Sequence, residues 1–168
     1  MSAAGPPASW RVVLAAGAEL GERPLWDARD GTVVWVDVLA GRVHRSRPDA
    51  LPTRQWADTS TVVGRTVGCV ALREDGGMLA AADSAIRWLD ASGRDDADPV
   101  VMDMPHGHRF NDGACDPAGR LLVGTAGPKA RGLLWSLAAD RSVRTLLEGL
   151  GESNGLGWSR TEDTLYLI

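Results

Sequence analysis

Three oxygen-bearing side chains recur at one phase of this sequence and could act together. Glu22, Asn111 and Asn154 each stand five residues before a turn that starts at Asp27, Asp116 or Ser159, and Gly68 holds the same place before Arg73. A carboxylate and two side-chain amides, brought to one point from distant segments, make a set of hard oxygen donors suited to a divalent cation. Oxygen donors alone leave the ion open among Ca²⁺, Mg²⁺, Mn²⁺ and Zn²⁺. Arg109, two residues before Asn111, falls on the same face of an extended strand, where its guanidinium would orient an anionic or polyhydroxylated substrate above the cation. Singly, each residue has a plain reading: Asn111-Asp112-Gly113 and Asn154-Gly155 are turn signals, Glu22 a solvated loop charge, Arg109 a surface arginine. The shared phase links them.

A shared phase requires a repeat, and the sequence has one. Short apolar strand, turn and second apolar strand recur in PLWDARDGTVVWVD from Pro24, VALREDGGMLAAAD from Val70, GACDPAGRLLVGT from Gly113 and LGWSRTEDTLYLI from Leu156. The turn starts at Asp27, Arg73, Asp116 and Ser159 step by 46, 43 and 43 residues, the size of one propeller blade. Asp30-Gly31, Asp75-Gly76 and Ala118-Gly119 supply glycine where a tight hairpin needs it. GRVHR from Gly41, AIRWL from Ala85 and GLLWSL from Gly132 read as third strands, and a more polar fourth would complete each blade. Residues 46–52, 92–99 and 127–131 read as loops from their Pro, Gly and charge. No stretch sustains a helical apolar period. The expected fold is therefore all-β and a β-propeller; a β-sandwich is the alternative, and the near-constant period argues against it. In a propeller the first strand of each blade lines the central channel, so residues of one phase converge on the axis.

The composition narrows the partners. The 168 residues carry a net charge of −4 with a pI near 5.3, which lacks the footprint of a nucleic-acid binder. The basic residues are arginines and the single Lys129, without a run that would draw an anionic membrane surface, and no segment is apolar enough to span a bilayer. Cys69 and Cys115 have neither zinc-site nor disulfide-framework spacing, which suits a reducing, cytoplasmic setting. Residues 1–9 are expected to form a disordered tail and 10–168 a partial propeller domain. The closing strand-like run from Thr164 to Ile168 would leave an unprotected apolar edge, and three and a half to four repeats do not close a ring.

The segments LGERPLWD from Leu20, WVDVLAGRVH from Trp35, RFNDG from Arg109, DPAGR from Asp116, Gly124-Thr125 and SNGLGWS from Ser153 resemble the gluconolactonase-type family that includes regucalcin and luciferin-regenerating enzymes. The resemblance covers nearly the whole chain and rests on several motifs in order. It implies a six-bladed propeller, of which this chain would supply an incomplete N-terminal portion, with a central divalent metal held by a Glu, an Asn and an Asp. By motif, Glu22 and Asn154 take metal positions and Arg109 and Asn111 substrate positions. The family's Asp ligand, which is also its catalytic base, belongs to the same phase of the next repeat, past residue 168, so no catalytic base is assigned here and the chain alone is expected to lack substantial activity. Where some relatives carry a substrate-contacting Glu after the third blade's Gly-Thr, this sequence has the short loop GPKAR from Gly127.

The implied reaction is hydrolysis of a sugar lactone by a protein expected to be monomeric when complete: the metal polarises the ring carbonyl and lowers the pKa of a bound water, while a carboxylate accepts its proton. The rival is a non-catalytic propeller for calcium binding or protein–protein interaction. Other motifs carry less. GESNG from Gly151 fits the G-x-S-x-G elbow, yet residues 156–168 read as two strands rather than the helix that motif needs. His106-Gly-His108 lacks a third ligand nearby. The acidic run from Asp95 to Asp98 fails the calcium-loop pattern and reads as a solvated turn. Trp26, Trp35, Trp88, Trp135 and Trp158 lie in expected strands, where packing between blades accounts for them more economically than sugar stacking.

Overall fold

The computed structural model describes residues 11–48 and 55–168; the tail expected over 1–9 lies outside them. All fourteen elements among the described residues are strands. Blade one comprises β1 (Gly21–Asp27), β2 (Thr32–Asp37), β3 (Arg42–Arg47) and β4 (Ala57–Val62); blade two comprises β5 (Val67–Leu72), β6 (Met78–Ala82), β7 (Ala85–Leu89) and β8 (Asp95–Val101). Blade three comprises β9 (Arg109–Cys115), β10 (Leu121–Ala126), β11 (Gly132–Leu137) and β12 (Val143–Leu150), and β13 (Leu156–Trp158) pairs with β14 (Leu165–Leu167) to begin a fourth sheet. Each sheet is an antiparallel meander in chain order. The four turn starts act alike: the amides of Gly31, Gly76, Gly119 and Glu162 donate to the carbonyls of Asp27, Arg73, Asp116 and Ser159.

Strand alternation buries both faces of the middle blade. Val34, Val36 and Val43 of blade one pack on Val70, Met78 and Ala80 of blade two. One residue out of step, Cys69, Ala71, Ala81 and Ile86 face Phe110, Leu121, Val123 and Trp135 of blade three. A period of two therefore serves two interfaces from one sheet. Burial pushes the Cys69 thiol up to about 12, so it behaves as a small apolar core group; both cysteines are free.

Two expectations need correction. Residues 92–99 are not one loop, since β8 starts at Asp95 and runs through Pro99, and the acidic run belongs to a strand rather than a turn. The reason is its place as outermost strand, with one edge and much of its surface in water, which tolerates proline and favours charge. Arg87 pairs with Asp95, and Arg73 with Asp96 at 2.8 Å. Likewise Ser46 and Arg47 end β3 rather than opening a loop; 49–54 lie outside the described residues.

The tryptophans divide. Trp135 meets Phe110 edge-on at 6.0 Å, Arg141 of blade three sits 4.4 Å over Trp88 of blade two, and the Trp158 indole donates to the Cys115 carbonyl at 3.3 Å. These join blades. Trp26 is 56% exposed and does not pack between blades. Trp35 stacks on His44 within blade one and donates to Ser46 Oγ, which donates to Asp58, the partner of His44 Nδ1.

Candidate functional site

Every first strand departs from regular pairing at the phase of Glu22, Gly68, Asn111 and Asn154. In β1 the register slips between Glu22 and Leu25; in β5 it slips between Val67 and Cys69, leaving Gly68 extra; in β9 Gly113 faces Val123 and Phe110 faces Thr125, leaving one extra residue around Asn111 and Asp112. Beside β13, the Ile168 amide donates to both the Asn154 carbonyl at 2.9 Å and the Gly155 carbonyl at 3.2 Å, again two residues against one. A β-bulge bends its strand and re-aims the side chains beside it. Four repeats thus carry the same irregularity where the candidate residues sit.

The bulges have distinct local causes. Arg23 takes a positive φ of 53°, unusual for a residue with a side chain, while Gly155 (φ 59°) adopts the same region without steric cost. Gly68 has a negative φ and is needed for space: a Cβ there would come within 2.5 Å of the Phe110 carbonyl carbon and 2.7 Å of the Asn111 amide nitrogen. The absence of a donor at this phase in blade two has a packing reason, since β5 lies against the backbone of β9.

Asn111 is buried and fully engaged. Its Nδ2 donates to the Ser153 carbonyl at 2.9 Å and to Glu152 Oε1 at 3.3 Å, and its Oδ1 accepts from Arg109 Nη1 at 2.6 Å. Arg109 also donates to the Phe110 carbonyl at 3.0 Å, so one guanidinium nitrogen is anchored twice while Nε and Nη2 make no hydrogen bond or ion pair among the described residues. The expected same-face relation of Arg109 and Asn111 is thus a direct hydrogen bond. A cavity of about 360 Å³ borders Arg109, His108, Arg65 and Asp83.

Glu22 and Asn154 differ from Asn111 in being exposed. The Glu22 carboxylate has no hydrogen bond or ion pair among the described residues, and Asn154 Oδ1 accepts only from the neighbouring Gly155 amide at 3.1 Å. These are the donors free to bind an ion. A carboxylate plus an amide oxygen is a hard pair that fits Ca²⁺, Mg²⁺ or Mn²⁺ chemistry. Among the described residues no group of three or more His, Cys, Asp or Glu side chains is arranged for a metal.

Asp112 is the residue that the spacing argument passed over. Its Oδ1 accepts from the Gly113 amide at 2.8 Å and faces Arg23 Nε at 3.2 Å as an ion pair, off the line of a hydrogen bond. Its Oδ2 accepts from the Gly155 amide at 2.9 Å. The neighbours of Glu22 and Asn154 are therefore held by one carboxylate. In sequence Asp112 looks like part of an Asn-Asp-Gly turn; its place beside a phase residue was the available signal.

The other motifs do not form the constellations their patterns suggest, although Ser153 and His108 border Asn111 and Arg109. Ser153 is wholly buried with its Oγ unpartnered against Gly124, and strand β13 follows it rather than a helix. His108 packs its ring against Gly127, with Nδ1 3.3 Å from the His106 carbonyl. A groove of about 490 Å³ lined by Val13, Leu14, Trp35 and Trp56 lies on the outward face of blade one. It contains none of the four candidate side chains.

Comparison with known proteins agrees with this architecture. Residues 20–168 match the family model described as the SMP-30/gluconolactonase/LRE-like region. Regucalcin of Xenopus laevis is 37% identical over 161 residues, covering 89% of this chain and 52% of that protein. Pentonolactonase XacC of Haloferax volcanii is 34% identical over 157 residues, covering 92% of this chain and 51% of that one. The crystal structure of a calcium-binding regucalcin from Agrobacterium tumefaciens superposes with a TM-score of 0.73 at 26% identity, over 90% of this chain and 50% of that chain. The chain spans about half the length of the curated relatives it matches. By its repeat, its blade-wise sheets and these matches, it belongs to the SMP-30/gluconolactonase/LRE-like family of β-propellers.

Proposed function

We propose that this chain carries metal-binding and substrate-binding elements of a sugar-lactone hydrolase. The observation that carries the reading is the division of labour at one phase: Glu22 and Asn154 keep unspent oxygen donors at the surface, while Asn111, bonded to the Ser153 carbonyl next to Asn154, is locked to Arg109. Relatives named as lactonases, including the Haloferax pentonolactonase, support the reaction class. Glu22 and Asn154 would hold the divalent cation, which when bound would polarise the lactone carbonyl and acidify water.

Substrate positioning falls to side chains of this chain. Asn111 fixes the Arg109 head, so that its free N–H groups meet sugar hydroxyls at a set position and little orientation is lost on binding. The buried amide therefore acts on the substrate through Arg109, rather than as the third ion ligand that spacing alone suggested. The native cation, the aldonolactone preferred, and a cytoplasmic, monomeric setting are part of the proposal. Among the described residues no helix is long and apolar enough to cross a membrane.

Calorimetric titration with Mn²⁺, followed by a hydrolysis-resistant sugar lactam, tests the reading. Saturable Mn²⁺ binding should vanish in Glu22→Ala and Asn154→Ala, and lactam binding should need both the metal and Arg109. Metal binding without any lactam binding would favour a calcium-binding propeller, and Mn²⁺ binding unchanged in both variants would refute the site.

A further inference from the structure

The four bulges could each be independent, yet three of them share one side chain. Arg23 is the left-handed residue of the β1 bulge, Asp112 lies in the β9 bulge, and Gly155 is the left-handed residue at the start of the fourth sheet. Asp112 touches both others, with Oδ1 3.2 Å from Arg23 Nε and Oδ2 accepting from the Gly155 amide at 2.9 Å. Its side chain is only 14% exposed and that of Arg23 24%, so the pair is shielded from the screening that makes surface ion pairs negligible. The residue before Arg23 is Glu22, and the residue before Gly155 is Asn154. Where Glu22 and Asn154 point is set by the backbone of those two bulges, and one carboxylate holds both.

We propose that Asp112 is the positioning residue of the cation site: a clasp that fixes the bulges carrying Glu22 and Asn154 at a common distance, without itself binding the ion. This rests on the reading of Glu22 and Asn154 as cation donors. The clasp has a stated geometry. Oδ2 and the Gly155 amide form a charge-assisted hydrogen bond, and the Arg23 pairing offsets the cost of holding a non-glycine residue in the left-handed region. Groups that orient metal ligands typically change affinity tenfold to a hundredfold when removed.

The test uses the full chain, with Mn²⁺ as the probe, read by calorimetry, and with hydrogen exchange of the Gly155 amide read in the metal-free chain. Asp112→Asn should weaken Mn²⁺ binding by about tenfold and speed exchange at Gly155, with little change in the unfolding midpoint. Arg23→Gln should weaken it by less, and the double variant should match Asp112→Asn rather than sum the two effects. Glu22→Ala is measured alongside. If Glu22→Ala abolishes binding while Asp112→Asn leaves affinity within twofold, the clasp is overturned and the donor assignment stands. If Glu22→Ala binds Mn²⁺ as the parent does, or the parent binds none, the donor assignment fails and the clasp with it.

Discussion

The first and last strands of each blade belong to the same sheet but obey different constraints. On β1, β5 and β9 the departures from regular pairing are tied to single atoms: the missing Cβ at Gly68, the Asn111 amide on the Ser153 carbonyl, the Asp112 carboxylate between Arg23 and Gly155. On the outer strand β8, charges pair across exposed surface, as in Arg87 with Asp95. β12 runs exposed from Val143 to Gly149. Where another backbone lies against a first strand, as β9 does on β5, the edge is position-specific; the outer edge is permissive because its neighbour is water. A candidate site can be built on the first kind of edge with precision that the second cannot supply.

That contrast can be broken by substitution. The largest effect should come from Phe110→Ala on β9, where the ring is 1% exposed and packs on Trp135; a loss of about 4 kcal/mol in denaturant unfolding is expected. Gly68→Ala on β5 should cost about 2–3 kcal/mol by overpacking the β5–β9 approach, and should also disturb Arg109 through the displaced Asn111. A Gly68→Ala chain as stable as the parent would show that the inner edges are not held by close backbone contact.

A third test uses pH. Asp27 closes β1 and its carboxyl is lowered from 3.8 to about 2, chiefly by the Arg29 hydrogen bond. A depressed folded-state value contributes stability that is fully present above the unfolded value and is lost as pH falls, here from about 3.8 towards 2. The contribution is on the order of 2 kcal/mol. Comparing unfolding free energies at pH 6 and pH 2.5, the gap should be smaller in Asp27→Asn than in the parent. The smallest effect belongs to the outer edge: Asp95→Asn on β8 should cost less than about 1 kcal/mol and lose even that at high salt. A larger cost there would erase the distinction between the edges.

How much of this was legible depended on whether the cause was local. The turn starts at Asp27, Arg73, Asp116 and Ser159 were readable because glycine and Asx chemistry act within a few residues, and the third strands AIRWL and GLLWSL fall on β7 and β11 as expected. Strand β8 was misread as a loop because Pro99 and three aspartates look like punctuation unless the strand is known to be outermost. The exposed Trp26 was misread because strand membership does not say which face is covered. Within the site, the phase singled out Glu22, Asn111 and Asn154, but the bulges did not appear, since each is a mismatch with a partner strand rather than a property of one segment. Asp112 stayed hidden for the same reason: its partners Arg23 and Gly155 lie on other blades.

The central claim is that equivalent bulges bring Glu22 and Asn154 to one cation. Paramagnetic broadening by substoichiometric Mn²⁺, read on the amides of the full chain, tests it directly. The account predicts that Glu22 and Gly155 broaden together at the lowest metal concentration while Thr59 on β4 and Ala97 on β8 do not. Broadening confined to one of the two, or spread over the acidic outer strand first, would contradict it.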